Sequence, residues 1–329
     1  MGTLIGHVAP GFGFLIIGLW HLYNHIKLHA LNPKSYISSP WFSTPKSKYF
    51  ELFFIMATST ASISMELFIG PSRHNPLDHD GTIPSNHLHN FEHSLISMTF
   101  FVYAAFAIIL DNIHTETRNT LTNLLASIAF AQQLLLFHLH SADHSGPEGQ
   151  YHLLLQLVII VSLLTTLMGI SMPRSFLISF VRSLSIFFQG LWFILMGFML
   201  WTPSLIPKGC FMNFEEGHNV VRCNDHGALH RAISLVNIQF SLCFILVTIF
   251  GMSLYVLLIQ FYGGNGIMVH YFSSGVDEED EYRVENKSSD YFESQERREA
   301  SSFADTGVYL RGRRTRNPFI LTKEREGEH

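Results

Sequence analysis

The stretch LLLQLVIIVSLLTTL, Leu153 to Leu167, contains no charged side chain, and FSLCFILVTIFGMSLYVLL, Phe240 to Leu258, repeats that character. Neither alternates polar with apolar residues, as a membrane β-strand does over about ten positions. A solid apolar run of about 20 residues is what an α-helix needs to cross a hydrocarbon core of roughly 30 Å. In lipid the helix also satisfies its own backbone hydrogen bonds. Working outward from these two runs, five more of the same kind appear. The seven lie near 5–26, 50–70, 90–110, 120–141, 151–172, 183–203 and 233–262. The sequence therefore predicts an all-α fold, a seven-helix transmembrane bundle within residues 1–272, followed by a disordered polar tail at 273–329.

Charge supports this division. The 329-residue chain is 47% hydrophobic and only 14% charged, where soluble domains carry about 25% charged residues. Residues 1–272 hold 11 Lys and Arg and 12 Asp and Glu, too few to cover a water-soluble fold of that size. The tail has a run of acids from Asp277 to Glu281 and a basic cluster at Arg311, Arg313, Arg314 and Arg316. Few aliphatic residues separate them, which is the composition of a disordered segment. The basic cluster could touch anionic lipid or act as a sorting signal; a solvated charged tail is the simpler reading.

The first run lacks the basic n-region and small-residue cleavage site of a signal peptide, and reads as a span. Basic residues favour the loops after spans one, three and five, with Arg182 counted in the fifth, so the N-terminus is expected lumenal or extracellular and the C-terminus cytosolic. Cys210 and Cys223 fall in the outer sixth loop, where a disulfide could persist. The sequon Asn286-Lys287-Ser288 falls in the cytosolic tail, and a glycan there would reverse the topology. Residence in the endomembrane system or the plasma membrane follows. No nucleotide, phosphate or nucleic-acid motif appears, so the partners expected are the lipid bilayer, a lipid-like or small-molecule substrate, and a second copy of the chain in a homo-oligomer.

With this orientation, thirteen of the 19 histidines face outward. The densest segment, HLHSADHSGPEGQYH from His138 to His152, joins spans four and five. His89 and His93 are four apart and share a helix face, with Glu92 beside them. His140 and His144, Glu148 and His152, and His226 and His230 repeat that interval. Paired imidazoles at i, i+4 can bind one metal ion. Such ligands suit zinc, which at a catalytic site takes three protein ligands and leaves one position for water. The candidate metal ligands are therefore His89, His93, His138, His140, His144, Glu148, His152, His226 and His230, with Glu66 or Glu92 as base or supporting partner. The plain alternative is a set of polar residues at headgroup level. On the inner side, His21 and His25 share a face of span one. His25 reads as part of an interfacial belt with Trp20, Tyr23 and Lys27, and His21 as belt or cavity lining. Ala57, Ala61 and Ser64, Ala104, Ala105 and Ala107, and Gly190 and Gly197 are the small residues expected where helices touch.

Four stretches, GHVAPGFGFLIIGLWH from Gly6, HNFEHSLISMTFFVYA from His89, LLLFHLHSADHSGPEGQYHLLL from Leu134 and FMNFEEGHNVVRCNDHGALHRA from Phe211, resemble the transmembrane-protein-45-like family, its plant branch above all. Animal members follow the His-x-His element with a Gly-Arg stretch, where this chain has Ser141-Ala142-Asp143-His144. The resemblance implies about seven spans and membrane residence, and it supplies no reaction. Three functions follow from the residues: a zinc-dependent membrane hydrolase, a proton-coupled carrier using buried Glu66, Glu92 and histidines, or a trafficking scaffold whose tail does the work.

Overall fold

The computed structural model describes residues 4–69, 75–141, 146–215 and 218–273, apart from the side chains of 86, 140, 141, 218 and 264–273. The tail expected to be disordered lies outside the described residues. Among the described residues, seven helices are long and apolar enough to cross a membrane. They are α1 (Leu4–Leu31), α2 (Phe50–Ser64) continued by a π-helical turn at Met65–Ile69, α3 (Leu88–Ile113), α4 (Arg118–Ser141), α5 (Pro147–Ser171), α6 (Phe176–Trp201) and α7 (His226–Ser273). An antiparallel hairpin joins α6 to α7. Its strands are β1 (Cys210–Glu215) and β2 (His218–Cys223), closed by a disulfide between Cys210 and Cys223. The hairpin is an addition to the all-α expectation. The bundle thus has a hairpin end and an opposite end, where Lys48 and Arg118 flank Asp111.

α1 and α6 form the closest helix pair, and glycine is the reason. A Cβ on Gly190 would lie 2.3 Å from the Leu15 backbone nitrogen and 2.6 Å from the Gly11 carbonyl oxygen. Close backbone approach gives helices in lipid the packing contact that hydrophobicity cannot supply there. Gly197 meets Val8 and His7 one heptad further along. α4 and α5 complete the core around Trp192, whose indole nitrogen donates to the Tyr151 carbonyl at 3.1 Å. Ala104 and Ala107 are buried as expected, but Ala57 and Ala61 are exposed. α2 instead meets α3 through Leu52 and a Ser97–Ser62 hydrogen bond of 2.9 Å. α7 packs on α6 through Phe250 against Phe187 and turns Leu246 and Leu257, each 61% exposed, outward to lipid.

One boundary matters for chemistry. α6 begins at Phe176, capped by the Ser175 hydroxyl, which accepts from the Ile178 amide at 3.4 Å. The helix therefore starts well before the expected position 183, and Arg182, expected in a loop, sits inside the bundle.

Candidate functional site

Opposite the hairpin, the first turn of α2 carries Glu51, only 3% exposed. Its Oε1 accepts from His21 Nε2 at 2.7 Å. Its Oε2 accepts from Trp20 Nε1 at 3.1 Å and from the Phe42 amide at 2.8 Å. Both carboxylate oxygens are thus held by donors, which is how a charge survives burial. One turn along α1, His25 is fully buried. Arg182 Nη2 reaches His25 Nε2 at 3.2 Å, and the Tyr36 hydroxyl lies 2.8 Å from His25 Nδ1. A guanidinium can only donate, so His25 Nε2 carries the lone pair and Nδ1 the proton. His25 is a neutral, fully engaged imidazole, which corrects its expected place in an interfacial belt. Burial pushes the Tyr36 hydroxyl above its ordinary value, so it stays protonated.

Arg182 also donates to Asn123 Oδ1 at 3.1 Å, Ser38 Oγ at 3.3 Å and the Ser39 carbonyl at 3.2 Å. One side chain on α6 so ties together α1, α4 and the segment before α2.

At the hairpin end a second pair forms. His93 Nδ1 lies 3.5 Å from Glu66 Oε1. Glu66 sits in the π-helical turn that ends α2, a wider coil than the α-helix. Asn90 Nδ2 donates to the Glu66 carbonyl at 2.9 Å and to its Oε2 at 3.3 Å.

Between the two pairs lies a cavity of about 460 Å³. Glu51 and Glu66, at its two ends, are fifteen residues apart on one continuous helix, or roughly 22 Å at 1.5 Å per residue. The wall between them is mostly apolar, with Phe14, Phe100, Phe130 and Phe137 prominent, and Gly13 flat against it. His21, Arg182, Tyr103 and Asn123 line one end, and His7, His93 and Glu66 the other. A volume of this size falls in the range of small-molecule sites.

The residues expected to bind metal are only partly brought together. His93 meets Glu66, and His89 Nδ1 meets Glu92 Oε2 at 3.2 Å. The Phe137 ring packs against both His93 and His152, at 6.3 and 5.8 Å between centroids. His152 Nδ1 donates to the Glu148 carbonyl at 2.9 Å, while the Glu148 side chain is buried in the first turn of α5. His138 faces outward and reaches Gln156 Oε1 at 3.2 Å. His226 and His230 are exposed on the first turns of α7. The His140 side chain and all of His144 lie outside the described residues. Among the described residues, no group of three or more His, Cys, Asp or Glu side chains is arranged to hold a metal ion.

The sequence reading did not single out Glu51 or Arg182. The mainly apolar flank from Phe176 to Val181, just after Pro173 and the capping Ser175, was the signal that Arg182 lies within a span.

These features define a class: a multi-pass membrane protein with a mainly apolar cavity inside its helix bundle and buried ionisable groups at each end. The profile of a family of unknown function, DUF716, matches residues 119–256, from the first turn of α4 into α7. That match takes in Arg182, Gln156 and the hairpin, and leaves out α1 to α3.

Proposed function

We propose that this protein is a proton-coupled carrier or receptor that holds a small amphipathic molecule inside its bundle. The single observation behind this reading is the cavity with an imidazole–carboxylate pair at either end, the buried His21–Glu51 and the half-buried His93–Glu66. Ionisable groups at membrane depth are costly, and their usual employment is proton handling or ligand recognition. The resemblance to the transmembrane-protein-45-like family is compatible and adds no activity. Residence in an endomembrane or the plasma membrane, with the hairpin end lumenal or extracellular, is part of the proposal. The Cys210–Cys223 disulfide supports it, because such bonds persist in oxidising compartments.

Native mass spectrometry of the full chain released from detergent tests the reading. Wild type should retain an amphiphile adduct. Gly13→Leu should lack it, since a Cβ on Gly13 meets nothing within 4 Å and the larger side chain fills the cavity rather than the fold. Equal adducts in both proteins, or none in wild type, contradict the reading.

Zinc remains a rival proposal. It rests on His93 and Glu66, and it needs further ligands from the His140–His144 segment.

A further inference from the structure

Arg182 is 3% exposed, and every acceptor it reaches is neutral: Asn123, His25, Ser38 and the Ser39 carbonyl. Among the described residues no carboxylate forms an ion pair with it. The nearby carboxylate, Glu51, has both oxygens committed to Trp20, His21 and the Phe42 amide. One polar atom at this end lacks a protein partner. His21 Nδ1 is buried without a hydrogen bond, although Nε2 of the same ring is 2.7 Å from Glu51. Both residues line the cavity, and they flank one imidazole. The His25 ring centroid is 5.9 Å from that of His21, and its Nε2 takes the Arg182 hydrogen bond.

A carboxylate that accepts from Nε2 leaves Nδ1 as a base. A guanidinium with only neutral partners suits an anion with which it makes charge-assisted hydrogen bonds. We propose that the Arg182 end of the cavity binds the head of a single-chain carboxylic acid, whose chain lies along the wall of Phe14, Phe100 and Phe130. The inference rests on the reading of the cavity as an amphiphile site and names its ligand class. The acid enters protonated. Its O–H bond breaks as an N–H bond forms at His21 Nδ1, and the electron pair stays on the carboxylate facing Arg182. Before binding, Arg182 and Glu51 sum to zero charge. Afterwards His21 is cationic and the ligand anionic, and the sum is still zero. No uncompensated charge is brought to membrane depth, where it would be costly. The other ionisable groups facing this end, His25, Tyr36 and Tyr103, are engaged with Arg182, His25 and the Pro40 carbonyl respectively. A phosphodiester head carries one negative charge but has no proton to give at neutral pH, so the carboxylic acid fits better.

The test uses the full chain in phosphatidylcholine nanodiscs with radiolabelled laurate, its neutral counterpart dodecanol, and acetate as the head without a chain. Wild type should hold laurate about ten-fold more tightly than dodecanol, the least expected of hydrogen bonds to a charged group. Acetate should displace neither. Arg182→Gln should bring laurate and dodecanol to parity. His21→Gln, which keeps an N–H for Glu51 but removes the base, should do the same. If Arg182→Gln does not fold, the wild-type ratio and His21→Gln still decide, because a purely structural Arg182 gives no headgroup preference in wild type. Equal binding of laurate and dodecanol by wild type overturns the headgroup assignment and leaves the cavity reading intact. Displacement of laurate by acetate overturns it in favour of a free anion. Failure to retain either long-chain probe overturns the cavity reading itself.

Discussion

A Cβ on Gly18 would stand 2.3 Å from the Phe187 backbone nitrogen, so α1 and α6 touch backbone to backbone at this point. Nothing but glycine fits there, since neither main chain can yield as a side chain can. Gly18→Ala and Gly190→Ala should each force the helices apart and cost about 1–3 kcal/mol, the usual penalty for overpacking. Gly13→Ala, with open space around its Cβ, should be neutral or slightly stabilising, because alanine is the better helix former by about 1 kcal/mol. Thermal melts of the three variants in one detergent check the contrast, and equal melting points would remove the glycine argument.

Glu51 should matter for stability as well as for the site. It is a buried carboxylate with three donors, and removing one side of such a cluster strands the others. Glu51→Ala should cost about 3–5 kcal/mol. Glu51→Gln, which keeps one acceptor, should cost less. Trp20 donates to this carboxylate, so its fluorescence should shift in Glu51→Ala, and an unchanged emission spectrum would count against the contact.

The hairpin makes a redox prediction. With Cys210 and Cys223 joined and Cys243 free, alkylation of the unfolded, unreduced chain should label one cysteine, and reduction first should expose all 3. Three labels without reduction would place the hairpin end in a reducing compartment and reverse the proposed orientation.

At the opposite end the Lys48–Asp111 ion pair makes a pH prediction. The Asp111 carboxylate, 2.6 Å away, holds the Lys48 ammonium above its ordinary value. A raised folded value means the pair's contribution is fully present below the unfolded lysine value of about 10.4 and is lost only as pH rises through the folded value. Lys48→Met should therefore leave the slope of stability with pH unchanged between about pH 5 and 9. A changed slope in that window, seen in pH-dependent melts, would contradict the assignment.

Elemental analysis separates the proton reading from the zinc reading. Purified wild type should carry less than one zinc per chain. Stoichiometric zinc that disappears in His93→Ala, and in His138→Ala combined with His140→Ala, would replace the carrier with a metal site.

The spans were legible because apolar runs such as Leu153 to Leu167 admit no other reading at that length. Glu66 and His93 were legible as candidates because each stood at the edge of such a run. The Glu51 and Arg182 end was not. Glu51 resembles an ordinary first-turn acid until the fold brings Trp20, His21 and the Phe42 amide to it. Arg182 was hidden by a helix start set seven residues late, and its partners lie up to 157 positions away in sequence. Histidine spacing says less about a site for a related reason. The i, i+4 rule describes one helix face and does not show which side chains of neighbouring helices, such as Phe137 against His93 and His152, pack beside it. The hairpin went unread because its two strands are only 6 residues each and show no sustained polar–apolar alternation, so they looked like an ordinary loop.

On the proposal above, a hydrocarbon chain occupies the space between α1, α3 and α4. Photolabelling with a laurate analogue carrying a diazirine near its tail end, followed by peptide mapping, tests it most directly. Labels should fall on Phe14, Phe100 or Phe130 and vanish in Gly13→Leu. Labels confined to the lipid-facing side of α7, around Leu246 and Leu257, would show that the chain is met only as solvent.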